Sequence, residues 1–145
     1  MYHWPAPLDD ASVSTWLERN IEHYHQYGFS RFCCQLRSTQ EVVGDVGVVN
    51  LVVKQQPACD LGYIIHANHW HQGYGYEAAR AVVDWLSANR KGVGVDKIVA
   101  TMATDNLGSA AVARKLGMQL KETYHNPKNL DKETFYFELD LCQDF

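Results

Sequence analysis

The chain has 145 residues, a usual length for one domain, and its 13 basic and 17 acidic side chains give a net charge of −4. This balance excludes the concentrated basic face that binding to a nucleic-acid backbone requires. A hydrophobic content of 46% without low-complexity runs excludes extensive disorder. The sequence has neither a signal-peptide pattern nor a membrane-length apolar stretch. We therefore expect a soluble, cytoplasmic protein that binds neither nucleic acid nor membrane.

The first predicted element is a helix that Asp9 or Asp10 begins and Gly28 ends. Apolar residues at three- and four-residue spacing form a stripe along it, which predicts a buried face. We also expect Trp4, upstream of the helix, to lie in the core. The stripe consists of Val13, Trp16, Leu17, Ile21, Tyr24 and Tyr27.

Three strands are predicted next, at residues 31–36, 41–53 and 59–65, because these segments are rich in β-branched residues and bounded by turn signals. The second turn is predicted at residues 54–58 and contains Pro57. Strands joined by such short loops form an antiparallel meander.

The apolar period then changes from strand-like to helical at residues 76–89, with Ala78, Ala81, Val82, Trp85 and Leu86 on one predicted face. A strand at 97–104, a helix that Gly117 closes and two final strands follow. The order α-β-β-β-α-β-α-β-β predicts a single α/β domain over residues 1–145, with a mainly antiparallel sheet and helices on its faces. The strands at 59–65 and 97–104 should be parallel, because a helical crossover joins them.

Four cysteines, Cys33, Cys34, Cys59 and Cys142, show no C-x-x-C spacing. This pattern predicts reduced, mostly buried thiols.

A glycine-containing loop, Gln72-Gly73-Tyr74-Gly75-Tyr76, directly precedes the second helix. Glycines let backbone N–H groups turn toward a ligand, and the first N–H groups of a helix lack internal partners, so the loop is suited to a phosphate or pyrophosphate. A plain turn into a helix is the alternative. The loop also fits the dinucleotide pattern G-x-G-x-x-A, but six residues separate it from the preceding strand, which disfavours a nicotinamide-dependent oxidoreductase.

Three histidines, His66, His69 and His71, lie in the loop before these glycines. Zinc sites usually have helix or hairpin spacing and a fourth ligand nearby, and this loop offers neither. We therefore predict exposed loop histidines and no metal site.

A second polar signature follows the strand at 97–104. Asn106 lies at the start of the next helix and Ser109 in its first turn. By themselves these residues are also typical of a helix cap and of an ordinary first-turn polar position.

Together the two segments resemble the GNAT N-acetyltransferase superfamily, whose pattern is Gln/Arg-x-x-Gly-x-Gly/Ala followed by Asn-x-x-Ser/Ala and Leu-Gly-Phe. The matches here are Gln72-x-x-Gly75, Asn106-x-x-Ser109 and Leu116-Gly117-Met118. The segment from Trp70 to Ala78, "WHQGYGYEA", is similar to the RimL/RimJ-like branch, which acetylates the N-termini of ribosomal proteins. The likeness covers nearly the whole chain.

The resemblance implies that acetyl-CoA lies in a gap between the two parallel strands. Backbone groups of Ile64 and Ile65 would pair with the pantetheine arm. The N–H groups of residues 73–76 (Gly73, Tyr74, Gly75 and Tyr76) would hold the pyrophosphate, with Gln72 in the same loop. Asn106 would bind the pantetheine, and the acceptor would be a primary amine of a protein N-terminus or a small molecule.

The catalytic residues are less evident from the resemblance. Many members carry a tyrosine acid seven residues after the asparagine, but this chain has Ala113 there. RimL-like enzymes are expected to use a serine at the position of Ser109, which makes Ser109 the predicted acid. Asp60 matches a strand position where relatives often carry a carboxylate, and it would accept the amine proton. A solvated strand acid is the alternative for Asp60, and a CoA-binding module without catalysis is the alternative for the whole chain.

RimL-like chains usually open with one more strand than this sequence shows. The strand at Arg31 would then lie bare at the sheet edge. We expect a second copy of the chain to cover it, as a homodimer, or the native protein to contain further residues.

Overall fold

The computed structural model describes residues 8–142, which form a mixed α/β fold with three α-helices and one six-stranded sheet. The predicted order of elements is confirmed; Trp4 lies outside the described residues. The elements are α1 (Asp10–Tyr27), β1 (Arg31–Gln35), β2 (Val42–Val53), β3 (Gln56–Ile65), α2 (Tyr74–Val93), β4 (Lys97–Ala103), α3 (Leu107–Lys115), β5 (Gln119–Asn126) and β6 (Lys132–Asp140).

The sheet has the strand order β1-β2-β3-β4-β6-β5, and β3 and β4 are its parallel neighbours. Their pairing is limited to Asp60 opposite Val99, whereas β2 and β3 pair over their whole facing length. The predicted parallel pair is therefore confirmed. Beyond Asp60 no further described residues of β3 and β4 pair, and we refer to the region between the unpaired strand ends as the gap.

The turn between β2 and β3 is shorter than predicted. It consists of Lys54 and Gln55, whose φ angles of 50° and 64° are those of a two-residue hairpin turn. Pro57 lies within β3, opposite Val52, and not in the turn. The prediction was wrong because proline usually marks a turn, while register is set by pairing with a distant segment.

The hydrophobic core lies between one sheet face and the helices α2 and α3. Helix α2 buries Ala79, Val82, Val83 and Leu86. The predicted face was partly wrong, because Trp85 is 40% exposed and Ala81 is also exposed. Since α2 begins at Tyr74 and ends before Gly94, it extends the predicted helix at both ends.

Helix α1 has the predicted ends, with Asp9 as its N-cap and Gly28 as its C-cap. Its predicted buried stripe is wrong: Val13, Trp16, Leu17, Ile21 and Tyr27 are between 40% and 51% exposed.

Polar side chains dock α1 instead. Asn20 and His23 are its buried residues. His23 Nδ1 lies 2.5 Å from the Phe29 carbonyl oxygen, and its Nε2 accepts a hydrogen bond from the Asn50 N–H at 2.9 Å. Ser30 donates to the Asn20 side chain at 2.7 Å. These bonds need a defined geometry, and they decide which side of the helix faces the sheet.

All four cysteines are free thiols, as predicted, but only Cys59 is buried. Cys33 is exposed because β1 forms one edge of the described sheet and leaves that face open. Within residues 8–142, no helix is both long and apolar enough to cross a lipid bilayer.

Candidate active site

The backbone of β3 faces the gap on one side and β2 on the other. The His66 N–H donates to the Val43 carbonyl at 2.7 Å, and the Ile64 carbonyl oxygen lies where a side chain on Gly44 would be. Because backbone groups alternate direction along a strand, those of Tyr63 and Ile65 turn toward β4. The Trp70 indole N–H donates to the Ile65 carbonyl at 2.6 Å. Of the two predicted residues, Ile65 thus directs its backbone into the gap and Ile64 directs its backbone toward β2.

The N-terminus of α2 lies at the open end of this gap. Gly73 is the N-cap with a φ of 83°, and no side chain caps the helix. The first intrahelical bond runs from the Glu77 N–H to the Gly73 carbonyl at 3.0 Å. The N–H groups of Tyr74, Gly75 and Tyr76 therefore precede it and have no carbonyl within the helix to bind.

Contacts of Gly75 fix the position of this helix end. A Cβ on Gly75 would lie 3.8 Å from Ile65 Cγ1 and 3.9 Å from Val112 Cγ2. The uncapped turn is thus held between the end of β3 and helix α3. Gln72, just before it, is exposed.

The N-terminus of α3 is capped. The Asn106 side-chain oxygen accepts from the Ser109 N–H at 3.2 Å, so the helix-cap alternative for Asn106 is observed. The Tyr63 hydroxyl donates to the Ser109 carbonyl at 2.7 Å, which brings α3 against β3. Burial, followed by the charge of Asp60, raises the pKa of Tyr63, which therefore stays protonated at neutral pH.

Asp60 lies at the closed end of the gap, where β3 and β4 last pair. Its neighbours Cys59 and Leu61 belong to the core, so its side chain projects from the opposite sheet face. The Asp60 Oδ1 atom is buried and has no hydrogen-bond partner within the described part of the chain. Burial raises the pKa of Asp60 to about 7, although the Arg31 guanidinium acts in the opposite direction.

Two tyrosines and an ion pair continue this polar face. The Lys54 ammonium pairs with Glu122 and lies 5.3 Å and 5.8 Å from the ring centroids of Tyr124 and Tyr136. Burial raises the pKa of both tyrosines, and the charge of Asp60 contributes. The face therefore combines carboxylates with aromatic surface, which suits a cationic or amine ligand.

The structure brings together most of the predicted residues. Ile65, the glycine loop, Asn106 and Ser109 surround the gap, and Asp60 marks its closed end. Sequence reasoning missed that Tyr63 contacts Ser109 and that Arg31 lies near Asp60. Ala113 is fully buried in the core.

The loop histidines have partners other than a metal. His69 lies 3.2 Å from a Glu41 carboxylate oxygen, and the His66 ring accepts from the Asn68 N–H at 3.3 Å. Among the described residues no group of three or more histidine, cysteine or acidic side chains is arranged to hold a metal ion.

Comparison with known proteins gives a family match. The model of the acetyltransferase (GNAT) domain family matches residues 1–119. The Bacillus subtilis protein YkkB is 30% identical over 123 residues, which are 85% of this chain and 70% of that protein. The N-acetyltransferase YoaA of the same organism is 33% identical over 90 residues, 61% of this chain and 48% of that protein. The chain thus spans 70% of the length of the first relative and about half of the second.

Solved structures have the same fold. The ribosomal-protein-S5-alanine acetyltransferase of Vibrio fischeri matches with a TM-score of 0.77 at 17% identity, over 97% of this chain and 80% of that one. The Salmonella typhimurium protein yncA, solved with acetyl-CoA, matches with a TM-score of 0.69 at 14% identity, over 97% and 78%.

Proposed function

The chain belongs to the GNAT acetyltransferase family, and we propose that it is a single N-acetyltransferase domain that transfers the acetyl group of acetyl-CoA to a primary amine. One observation carries the proposal: the β3–β4 gap has the uncapped N-terminus of α2 at its open end and a carboxylate with one buried oxygen at its closed end. The first feature suits a long ligand with a pyrophosphate, and the second suits proton transfer from an amine.

The binding of acetyl-CoA follows from the backbone directions. The backbone of Ile65 and Tyr63 would pair with the pantetheine arm as an added strand, with Ile64 beside them. The N–H groups of Gly73, Tyr74, Gly75 and Tyr76 would hold the pyrophosphate, with Gln72 beside it, because the helix dipole is positive there.

Asn106 has a further proposed role. Its side-chain oxygen is used in the helix cap. Its amide nitrogen would therefore be the group that bonds the pantetheine.

In the reaction, acetyl-CoA supplies a thioester carbonyl carbon that an amine nitrogen can attack. The C–N bond forms and the C–S bond breaks. Asp60 takes the proton that the amine loses, directly or through water, because a carboxylate with a pKa near 7 is a suitable base at neutral pH. The Ser109 hydroxyl would give a proton to the departing sulfur and regain one from solvent, to which Asp60 releases the amine proton, so that CoA leaves as the free thiol.

The role of Ser109 as the proposed acid can be tested by comparing it with its neighbour Tyr63. Ser109→Ala should lower kcat by about tenfold or more with little change in KM for acetyl-CoA. Tyr63→Phe removes the hydroxyl that bonds the Ser109 carbonyl and serves as the comparison. Unchanged turnover in Ser109→Ala together with a large loss in Tyr63→Phe would assign the acid role to Tyr63 and not to Ser109.

A change of charge at the N-terminus of α2 can test the proposed cofactor binding. Gly75→Asp adds an acid in the first helical turn, which stabilises a helix but repels a pyrophosphate. We expect KM for acetyl-CoA to rise by about tenfold or more in a variant that circular dichroism shows to be folded. Ala88→Asp makes the same charge change at an exposed site on α2, about 20 Å along the helix, and should leave KM unchanged.

The first experiment is a thiol-release assay with acetyl-CoA and a panel of primary amines. Release that depends on an amine is the expected result. Acetyl-CoA binding without release for any amine would instead identify a CoA-binding module without catalysis.

The β1 edge supports a second proposal, that two copies of the chain associate there. β1 is an edge of the described sheet, and Phe32 on it is 39% exposed. Elution as a dimer in size-exclusion chromatography at micromolar concentration is expected, and a monomeric volume would refute it.

A further inference from the structure

The sheet face opposite α2 and α3 is called the open face below. On it, two buried polar atoms have no hydrogen-bond partner among residues 8–142: Asp60 Oδ1 and Arg31 Nη2. One is an acceptor and the other a donor. A buried polar atom without a partner is costly, so such atoms often mark the place of a missing ligand group.

The sequence builds this arrangement with two glycines. Arg31 on β1 is opposite Gly47 on β2, and Gly47 is opposite Gly62 on β3. A Cβ on Gly62 would collide with Arg31 Nη1. The Arg31 side chain therefore crosses β2 and ends over β3, which only a glycine at position 62 permits.

Arg31 is held in this position by a second acid. Its Nε bonds the Asp45 carboxylate. Asp60 lies two residues from Gly62 on the same face of β3, about 7 Å along the strand. The guanidinium is thus near enough to the proposed base for its charge to act on that carboxyl, yet Arg31 Nη2 and Asp60 Oδ1 do not bond each other.

We propose that this pair forms the acceptor subsite and that the acceptor is a small α-amino acid. The inference rests on the proposed acetyltransferase function. The amine would lie at Asp60 Oδ1 and the neighbouring carboxylate at Arg31 Nη2, because an α-amino acid carries a donor and an anionic acceptor on adjacent atoms. A charge-assisted bond from guanidinium to carboxylate is stronger than one to the neutral carbonyl of a peptide.

The charges of the subsite fit a zwitterion. Arg31 carries one positive charge, while Asp45 and Asp60 carry up to two negative ones. A second ammonium, as in a diamine, would meet the Arg31 guanidinium and be repelled. During transfer, Asp60 takes the amine proton and the substrate carboxylate stays ionised at Arg31.

The test compares L-alanine with ethylamine, which is the same amine without the carboxylate. The intact chain is assayed with acetyl-CoA by thiol release, and an alanine-initiated peptide is included. We expect kcat/KM for L-alanine to exceed that for ethylamine and for the peptide by about tenfold or more. Arg31→Met should abolish this preference by raising KM for L-alanine about tenfold more than KM for ethylamine.

Two further variants keep the test decisive. Arg37→Met makes the same change at an exposed turn residue and should leave the preference intact. Arg31→Lys keeps the charge and should retain part of the preference even if Arg31→Met folds poorly, which circular dichroism would reveal.

Three results would overturn the inference: a preference for ethylamine, a preference for the peptide, or an equal loss for all acceptors in Arg31→Met. The last would make Arg31 a structural residue only. Failure of the proposed function is distinguishable, because then no amine in the panel would promote thiol release.

Discussion

The two faces of the sheet are made by alternate residues of the same strands, yet they differ in whether the side-chain atoms that they bury are apolar or polar. Toward the helices, residues such as Ala100 and Phe137 are buried among apolar neighbours. On the other face, Asp60 and Arg31 each bury a polar atom that no described residue hydrogen-bonds. The helix-covered face therefore stabilises the fold, and the open face holds the groups for which we propose a ligand.

In strand β6, adjacent residues belong to different faces of the sheet. Phe137 and Leu139 point to the core, while Tyr136 and Glu138 point to the open face. Neighbouring substitutions on β6 should therefore have opposite effects on stability and activity, and such pairs can test the division.

The largest expected effect is on stability. Phe137→Ala should lower the free energy of unfolding by about 3–5 kcal/mol, because it leaves a cavity in the core. Tyr136→Ala removes a ring of similar size from the open face and should cost clearly less. Urea denaturation of both variants measures the difference, and equal losses would contradict the division between the faces.

The second effect is on activity. Asp60→Asn should lower kcat/KM by about a hundredfold or more while the protein stays folded. In the wild type, kcat/KM should rise with pH up to about 7, the pKa of Asp60, and this limb should vanish in the variant. Asp84→Asn, an exposed acid on α2, is the matched control and should keep the limb.

The same substitution has a pH-dependent effect on stability. Because the folded-state pKa of Asp60 is raised, its protonated form favours folding below pH 4, and this contribution is lost as the pH rises through about 7. Asp60→Asn should therefore be more stable than the wild type at pH 8 but not at pH 4. Thermal unfolding at both pH values checks the sign, and a variant less stable at pH 8 would show that Asp60 is a structural partner.

Local signals were sufficient to predict the element order and much of the gap. Asp9, Gly28 and Gly73 act on their own helix ends, and Asn106 caps the helix that it precedes. The parallel pair followed from the single helix that joins its strands. Such features depend on residues close together in the chain.

Features that depend on distant residues could not be predicted in the same way. The crossing of Arg31 requires Gly47 and Gly62 to match in register across three strands. The apolar residues of α1 do follow the helical period, but the period does not show which side of a helix packs on the sheet. Asn20 and His23 set that side through hydrogen bonds to other elements. The burial of Asp60 is likewise a tertiary property.

A smaller effect on stability is expected from adding a methyl group at either of two glycines on the open face, Gly47 and Gly62, and the effect should differ between them. A Cβ at Gly47 would overlap the backbone of Ser30 and Arg31, so Gly47→Ala should shift β1 and cost stability. A Cβ at Gly62 meets only the end of the Arg31 side chain. Gly62→Ala should thus leave stability nearly unchanged and reduce activity by moving the guanidinium. Denaturation and thiol-release assays on both variants test this, and a stability loss in Gly62→Ala as large as that in Gly47→Ala would contradict it.

The smallest expected effect concerns Lys54, which ties the β2–β3 turn to Glu122 on the open face. Both side chains are partly exposed, so the pair should contribute less than about 1 kcal/mol, and less still at high salt. Lys54→Met should therefore change the urea midpoint little, and Lys121→Met on β5 gives the matched baseline. A loss in Lys54→Met approaching that of Phe137→Ala would mean that the open face also stabilises the fold. In that case the unpartnered atoms of Asp60 and Arg31 would lie in a structural face, and their interpretation as a ligand site would lose its physical basis.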